Sequence, residues 1–78
     1  MGKSIHSPQH LRLREILIAA RKKAGLTQQE VAEALDRPQS FVAKYEGGER
    51  RLDVVEFIQV ARALSADPAR LLRSLLND

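Results

Sequence analysis

LTQQEVAEALDRPQSFVAKYEGGERR, residues 26–51, reads as two short helices with a tight turn between them. Thr27-Gln28-Gln29-Glu30 is a capping box: the Thr27 hydroxyl can accept from the Glu30 amide while the Glu30 carboxylate reaches back. Val31, Ala32 and Leu35 then share one helical face, so this helix should end near Leu35. Asp36-Arg37-Pro38 stops it, because Asp tolerates the left-handed backbone of a helix end and a residue before proline is pushed out of the α region. A second helix restarts at about Gln39, carries Phe41, Val42 and Tyr45 as its apolar residues, and ends at Gly47-Gly48.

Two helices joined by so short a turn form a helix-turn-helix, whose second helix can lie in the major groove of duplex DNA. The outward positions of that second helix are Gln39, Ser40, Ala43 and Lys44, all small, polar or cationic. A groove-reading helix needs such a surface; any solvated helix also shows one.

Size and composition narrow the field. A chain of 78 residues makes one small domain of modest stability and leaves little room for an enzyme with a lid and a deep cleft. Aromatic residues, at 4%, are too few for the stacking platforms of single-strand binders. With no cysteine there is no disulfide framework and no thiolate zinc site, which fits a reducing cytoplasm. The longest apolar run, Ile16 to Ala20, is far too short to cross a bilayer and no signal peptide precedes it, so no membrane role is expected. The net charge of +3 is uneven: residues 1–25 hold six Lys/Arg against one Glu (+5), and residues 26–46 four acids against two bases (−2). A basic end suggests contact with a polyanion, with solubility alone as the alternative.

Outward from the central stretch, residues 1–7 read as a flexible arm and residues 8–78 as a single domain. His6 and His10 are four apart, but Pro8 lies between them and no third ligand is near, which argues against a metal. Ser7-Pro8 starts a first helix that runs to Ala24, with Gly25 as its stop. Leu13, Ile16, Leu17, Ala20 and Ala24 recur at helical spacing as a core stripe, with Leu11 and Ile18 off it. Arg21, Lys22 and Lys23 crowd the last turn, where cations suit the helix dipole.

Downstream, Asp53 and Glu56 form a second capping box, opening a helix to about Leu64 with Phe57, Val60, Ala61 and Leu64 inward. Val54, Val55 and Ile58 are left over. Asp67-Pro68 caps a last helix carrying Leu71, Leu72, Leu75 and Leu76. So small a domain cannot bury all of these, and Val54, Ile58, Leu72, Leu75 and Leu76 are the expected two-fold dimer interface. The alternative is that Leu71 and Leu72 finish the core and the tail frays. No cysteine, no carboxylate pair beside a histidine and no phosphate-cradling glycine loop is present, so no enzyme, cofactor, metal or small-molecule ligand is expected.

The run Thr27-Gln28-Gln29-Glu30-Val31-Ala32, followed by Lys44-Tyr45-Glu46-Gly47-Gly48-Glu49-Arg50, resembles the phage-repressor (Xre-type) helix-turn-helix family. The similarity continues through Phe57, Val60-Ala61 and Leu64 to Leu71-Leu72, about residues 12–73. It implies an all-α, five-helix lambda-repressor-like domain whose helices two and three are the helix-turn-helix. It further implies that Gln39, Ser40 and Lys44 read base edges, and that Thr27 and Gln28 meet a phosphate at a helix start. Arg50 and Arg51 would neutralise phosphates from the following loop, and Arg21 would pair with Glu46. In some members the arm touches DNA, a role Lys3 could take. Tyr45 and Val42 belong to the core, with Phe41 expected half exposed against the DNA backbone.

The turn departs from the family pattern of Gly, an apolar residue, then Ser or Thr. Asp36 can still turn the chain, but Arg37 replaces the apolar plug and Pro38 removes the capping hydroxyl. Arg37 is therefore expected to be free to reach a phosphate. The function implied is sequence-specific binding of double-stranded DNA by a small cytoplasmic transcriptional regulator of the repressor type, a homodimer on a palindromic operator. The alternative is a protein-interaction module, antitoxin-like or an adaptor subunit. The C-terminal apolar excess supports that alternative; the Arg50-Arg51 loop and polar recognition face argue against it as the sole role.

Overall fold

Each helix but one begins behind a side chain that caps it. The computed structural model describes residues 7–77, and in them α1 spans Pro8–Lys23, α2 Gln28–Leu35, α3 Gln39–Gly47, α4 Val54–Ala63 and α5 Pro68–Leu76. No strand occurs among the described residues. Ser7 accepts from the His10 amide ahead of Pro8, and Asp67 accepts from Ala69 ahead of Pro68. Thr27 with Glu30, and Asp53 with Glu56, form complete capping boxes. The exception is α3. Its cap is Pro38, extended at φ −65° and ψ 153°, which offers no side-chain hydrogen bond.

Left-handed residues close α1 to α4. Asp36 sits at φ 57°, with its amide on the Glu33 carbonyl (3.1 Å) and the Arg37 amide on that of Ala32 (3.0 Å). That paired pattern satisfies two carbonyls the helix end would orphan. Gly48, at φ 83°, is doubly constrained, because a Cβ built there would meet the Arg14 guanidinium at 3.1 Å.

The core gathers Leu17 from α1, Val31 and Ala32 from α2, Phe41, Val42 and Tyr45 from α3, and Phe57, Val60 and Leu64 from α4. The helix α3 packs on α1 and α2, α2 also packs on α4, and α5 closes the far side against α1 and α4. Among the described residues eleven buried hydrophobic side chains form the core, and α5 contributes none of them. Its Leu71 only packs against the cluster from the side.

Two expectations change here. Ala24 is exposed: the chain leaves the helix there, and Leu26, brought round by the Gly25 turn, packs against the core instead. Phe41 is buried, not half exposed, since two arginines from other segments lie over its ring. His10 is buried on α1; His6 and Lys3 lie outside the described residues, as does nearly all of the arm. No described helix is long and apolar enough to cross a membrane.

Candidate nucleic-acid interface

The outward face of α3 presents Gln39, Ser40, Ala43 and Lys44, all exposed. What fixes this face is a carboxylate on its hidden side. Glu46 is buried, and its Oε2 accepts from Arg21 Nε at 2.7 Å. Its Oε1 accepts from Arg21 Nη2 at 3.1 Å and from Gln28 Nε2 at 2.9 Å. The expected Arg21–Glu46 pair is thus formed as a two-bond fork between α1 and α3. The hydrogen bond to Glu46 raises the Arg21 pKa further, against the desolvation that lowers it. Arg14 adds a second cation at the same helix end, donating from Nε to the Glu46 carbonyl at 2.8 Å.

Gln28 carries the chain of contacts to the front. Its Oε1 accepts from Gln39 Nε2 at 3.2 Å, so one amide bridges the buried carboxylate and the first residue of α3. The Gln28 side chain is therefore engaged in both directions, with Glu46 behind and Gln39 in front. Thr27 is exposed, its hydroxyl held by the cap. The first-turn amides of α2 are the donors that remain at this helix start.

A second carboxylate organises the other edge. Glu56 Oε1 accepts from Arg50 Nη1 and Oε2 from Arg50 Nη2, both at 2.9 Å. Oε1 also takes the Asp53 amide at 3.0 Å, and Oε2 lies 3.4 Å from Arg37 Nη2. The Arg50 bonds, then the Asp53 amide, pull the Glu56 pKa from 4.5 to about 2. Both guanidinium groups also lie over the Phe41 ring, Arg37 at 4.4 Å and Arg50 at 4.9 Å from its centroid. Tyr45 meets the same ring edge-on at 5.5 Å. Arginines roof the ring that the sequence placed at the surface.

Arg37 is accordingly not free. Its guanidinium lies over the Phe41 ring and leans on Glu56, with the Arg37 and Arg50 side chains each 39% exposed. Arg51 is exposed beside them. Sequence reading missed Arg14 altogether, and saw Glu56 only as a cap. The spacing Asp53-x-x-Glu56 carried the cap; nothing local signalled the arginines.

Of the expected dimer residues, Val54 and Leu76 are 73% exposed and Leu72 is 43% exposed, while Ile58 and Leu75 are half-buried. Val55, not among them, is also exposed. Behind α3, a cavity of about 10 Å³ lies against Tyr45, Leu13, Leu17 and Leu52. The Tyr45 hydroxyl is buried without a protein partner, and burial pushes its pKa up.

Residues 17–71 match a family model described as helix-turn-helix. The solved structure of an XRE-family-like protein from Pseudomonas syringae pv. tomato is 48% identical, with a TM-score of 0.89 over 96% of this chain and 92% of that one. A mutant restriction-modification controller protein has 17% identity and a TM-score of 0.81, covering 91% of this chain and 90% of its own. The clp gene regulator ClgR from C. glutamicum has 24% identity and a TM-score of 0.80, covering 92% and 94%. At those identities the last two speak for the fold alone. No curated protein matches the chain.

Proposed function

The chain belongs to the Xre-type helix-turn-helix family, and from that premise we propose that it is a non-enzymatic transcription regulator that reads double-stranded DNA. The observation that supports this most is the exposed polar face of α3, locked from behind by the buried Glu46 network and in front by the Gln28–Gln39 contact. A reading helix must enter the groove as a rigid body, and this one is tied to α1 and α2 by charged hydrogen bonds.

On this reading Gln39 pairs with an adenine edge, Lys44 reaches guanine acceptors and Ser40 contributes a smaller contact. The helix start at Thr27 and Gln28, through first-turn amides that the capping box leaves unused, meets one phosphate, and Arg37, Arg50 and Arg51 meet others. Two copies joined through Val54, Ile58, Leu72, Leu75 and Leu76 would set two recognition helices on one face of a palindromic operator, roughly 10 base pairs apart. Its working place would be the cytoplasm, at the nucleoid.

Selection of bound duplexes from a random library, at about physiological salt where nonspecific binding is partly suppressed, tests the whole reading. Enrichment of a two-fold symmetric site is expected. An asymmetric short site would remove the dimer, and no enrichment would remove DNA reading. That last result would favour a protein-binding role, for which the exposed Leu72 and Leu76 of α5 speak.

A further inference from the structure

We propose that Glu56 is a positioning residue for phosphate contact: its carboxylate holds Arg37 and Arg50 together so that their outer N–H groups face the DNA backbone along one edge of α3. The inference rests on the DNA-binding reading and adds to it a residue that never touches DNA.

Arg37 lies in the turn ahead of α3 and Arg50 in the loop behind it, and one carboxylate binds both. The carboxylate is filled. Oε1 takes Arg50 Nη1 and the Asp53 amide; Oε2 takes Arg50 Nη2 and Arg37 Nη2. Phe41 supports both guanidinium groups from below. Two long cationic side chains, which would otherwise repel each other and sample many rotamers, are thereby fixed before any ligand arrives. Such preorganisation spares the ordering cost at binding.

The free donors show why holding is compatible with binding. A guanidinium carries five N–H groups. Arg50 spends both Nη1 hydrogens, on Glu56 and on the Arg51 carbonyl at 2.9 Å, and one Nη2 hydrogen on Glu56. The Nε–H and the second Nη2–H lie together on the adjacent edge, a fork of the shape a phosphate accepts. Arg37 gives only one long contact to Glu56 and keeps more. Glu56 therefore need not be displaced when a phosphate binds. A carboxylate that merely competed with DNA would occupy that outer edge.

Glu56→Gln is the informative variant. Glutamine serves equally at this capping-box position, so its oxygen can keep the Asp53 amide while its N–H₂ turns donors against donors. Each chain would be titrated against the duplex selected for the parent, by fluorescence anisotropy over a series of salt concentrations. Affinity is expected to fall about tenfold although the variant is more positive by one charge. The slope of log K against log salt is expected to flatten by about one to two, at about 0.9 for each phosphate that is no longer neutralised. Glu56→Asp keeps the charge but shortens the reach, and should behave like Glu56→Gln.

A Glu56→Gln chain that binds as tightly as the parent, or tighter, overturns the proposal. So does a loss of affinity with unchanged slope that tracks the folded fraction seen by circular dichroism, since that is the mark of a purely structural role. A parent that binds no duplex sinks the DNA reading and this inference together; a parent that binds while Glu56→Gln matches it sinks the inference alone.

Discussion

Two glutamates anchor the surroundings of α3, and each receives two bonds from an arginine, yet they do different jobs. Glu46, at the end of α3, has a side chain 5% exposed and its partner Arg21 is 14% exposed. Its partners come from α1 and α2, far away in sequence. Glu56, one loop later, is 12% exposed beside an Arg50 that is 39% exposed. Arg21 presents its Nε edge inward to Glu46 and gives Nη1 to the Leu26 carbonyl, leaving little for solvent. Arg50 meets Glu56 end-on through Nη1 and Nη2, and its Nε takes no part in either bond. The same pair of residue types thus serves as a tie to the body in one place and as a mount for a surface cation in the other. Burial and the edge of the guanidinium decide which.

Removing Glu46 should break the comparison most severely. Glu46→Ala strands a mostly buried arginine and removes the acceptor of Gln28, and losing one partner of a buried pair costs about 3–5 kcal/mol. Thermal unfolding by circular dichroism should show a Tm lowered by at least about 12 °C for a domain of this size. A Tm within a few degrees of the parent would mean that Arg21 finds water in solution.

Next in size is the outward face. Gln39→Ala with Lys44→Ala should abolish preference for the selected site, each base contact being worth about 1–3 kcal/mol. Melting should stay within about 0.5 kcal/mol of the parent, since both side chains are surface groups. Retained selectivity in a binding competition would show that the base-reading residues lie elsewhere.

The pH dependence sharpens the contrast. Glu56 sits at about 2 in the fold against an ordinary 4.5, so on acidification the unfolded chain takes up this proton first. The contribution is complete above the ordinary carboxylate range and drains away as pH falls from about 4.5 toward 2. Glu56→Gln should flatten the acid limb of stability in that window. Superimposable limbs would mean the Arg50 pair is not formed in solution.

Asp36→Gly carries the smallest expected effect. Asp36 holds φ 57° at the end of α2, where glycine fits without a Cβ penalty, so stability should rise by about 0.5 kcal/mol in urea unfolding. A decrease would show that the aspartate makes a contribution beyond its backbone angle.

Local chemistry was legible in the chain and tertiary chemistry was not. Thr27-x-x-Glu30 and Asp53-x-x-Glu56 reveal two helix starts because a capping box is complete within four residues, and Asp36 and Gly48 reveal helix ends for the same reason. The family pattern supplied Arg21 with Glu46, a pair no local rule would join. What escaped was every contact that depends on what stands opposite. Phe41 belongs to the core cluster and is also covered by Arg37 and Arg50, which arrive from two different segments. Arg37 looked free because its acceptor, Glu56, is nineteen residues later, already accounted for as a cap. Gln28 matched a phosphate position, but its amide is claimed by Glu46 on one side and Gln39 on the other.

Tyr45, sealed behind α3 with its hydroxyl unpartnered, is the chain's single tyrosine, and tryptophan is absent. The protein therefore carries one useful natural fluorophore, on the hidden face of the helix that would read DNA. Loosening that helix from the body admits water to the phenol and should change its emission, with no dye attached. In alkali the buried phenol resists ionisation, so the phenolate absorbance band should appear only as the domain opens, and a base titration read at that band traces unfolding from the inside.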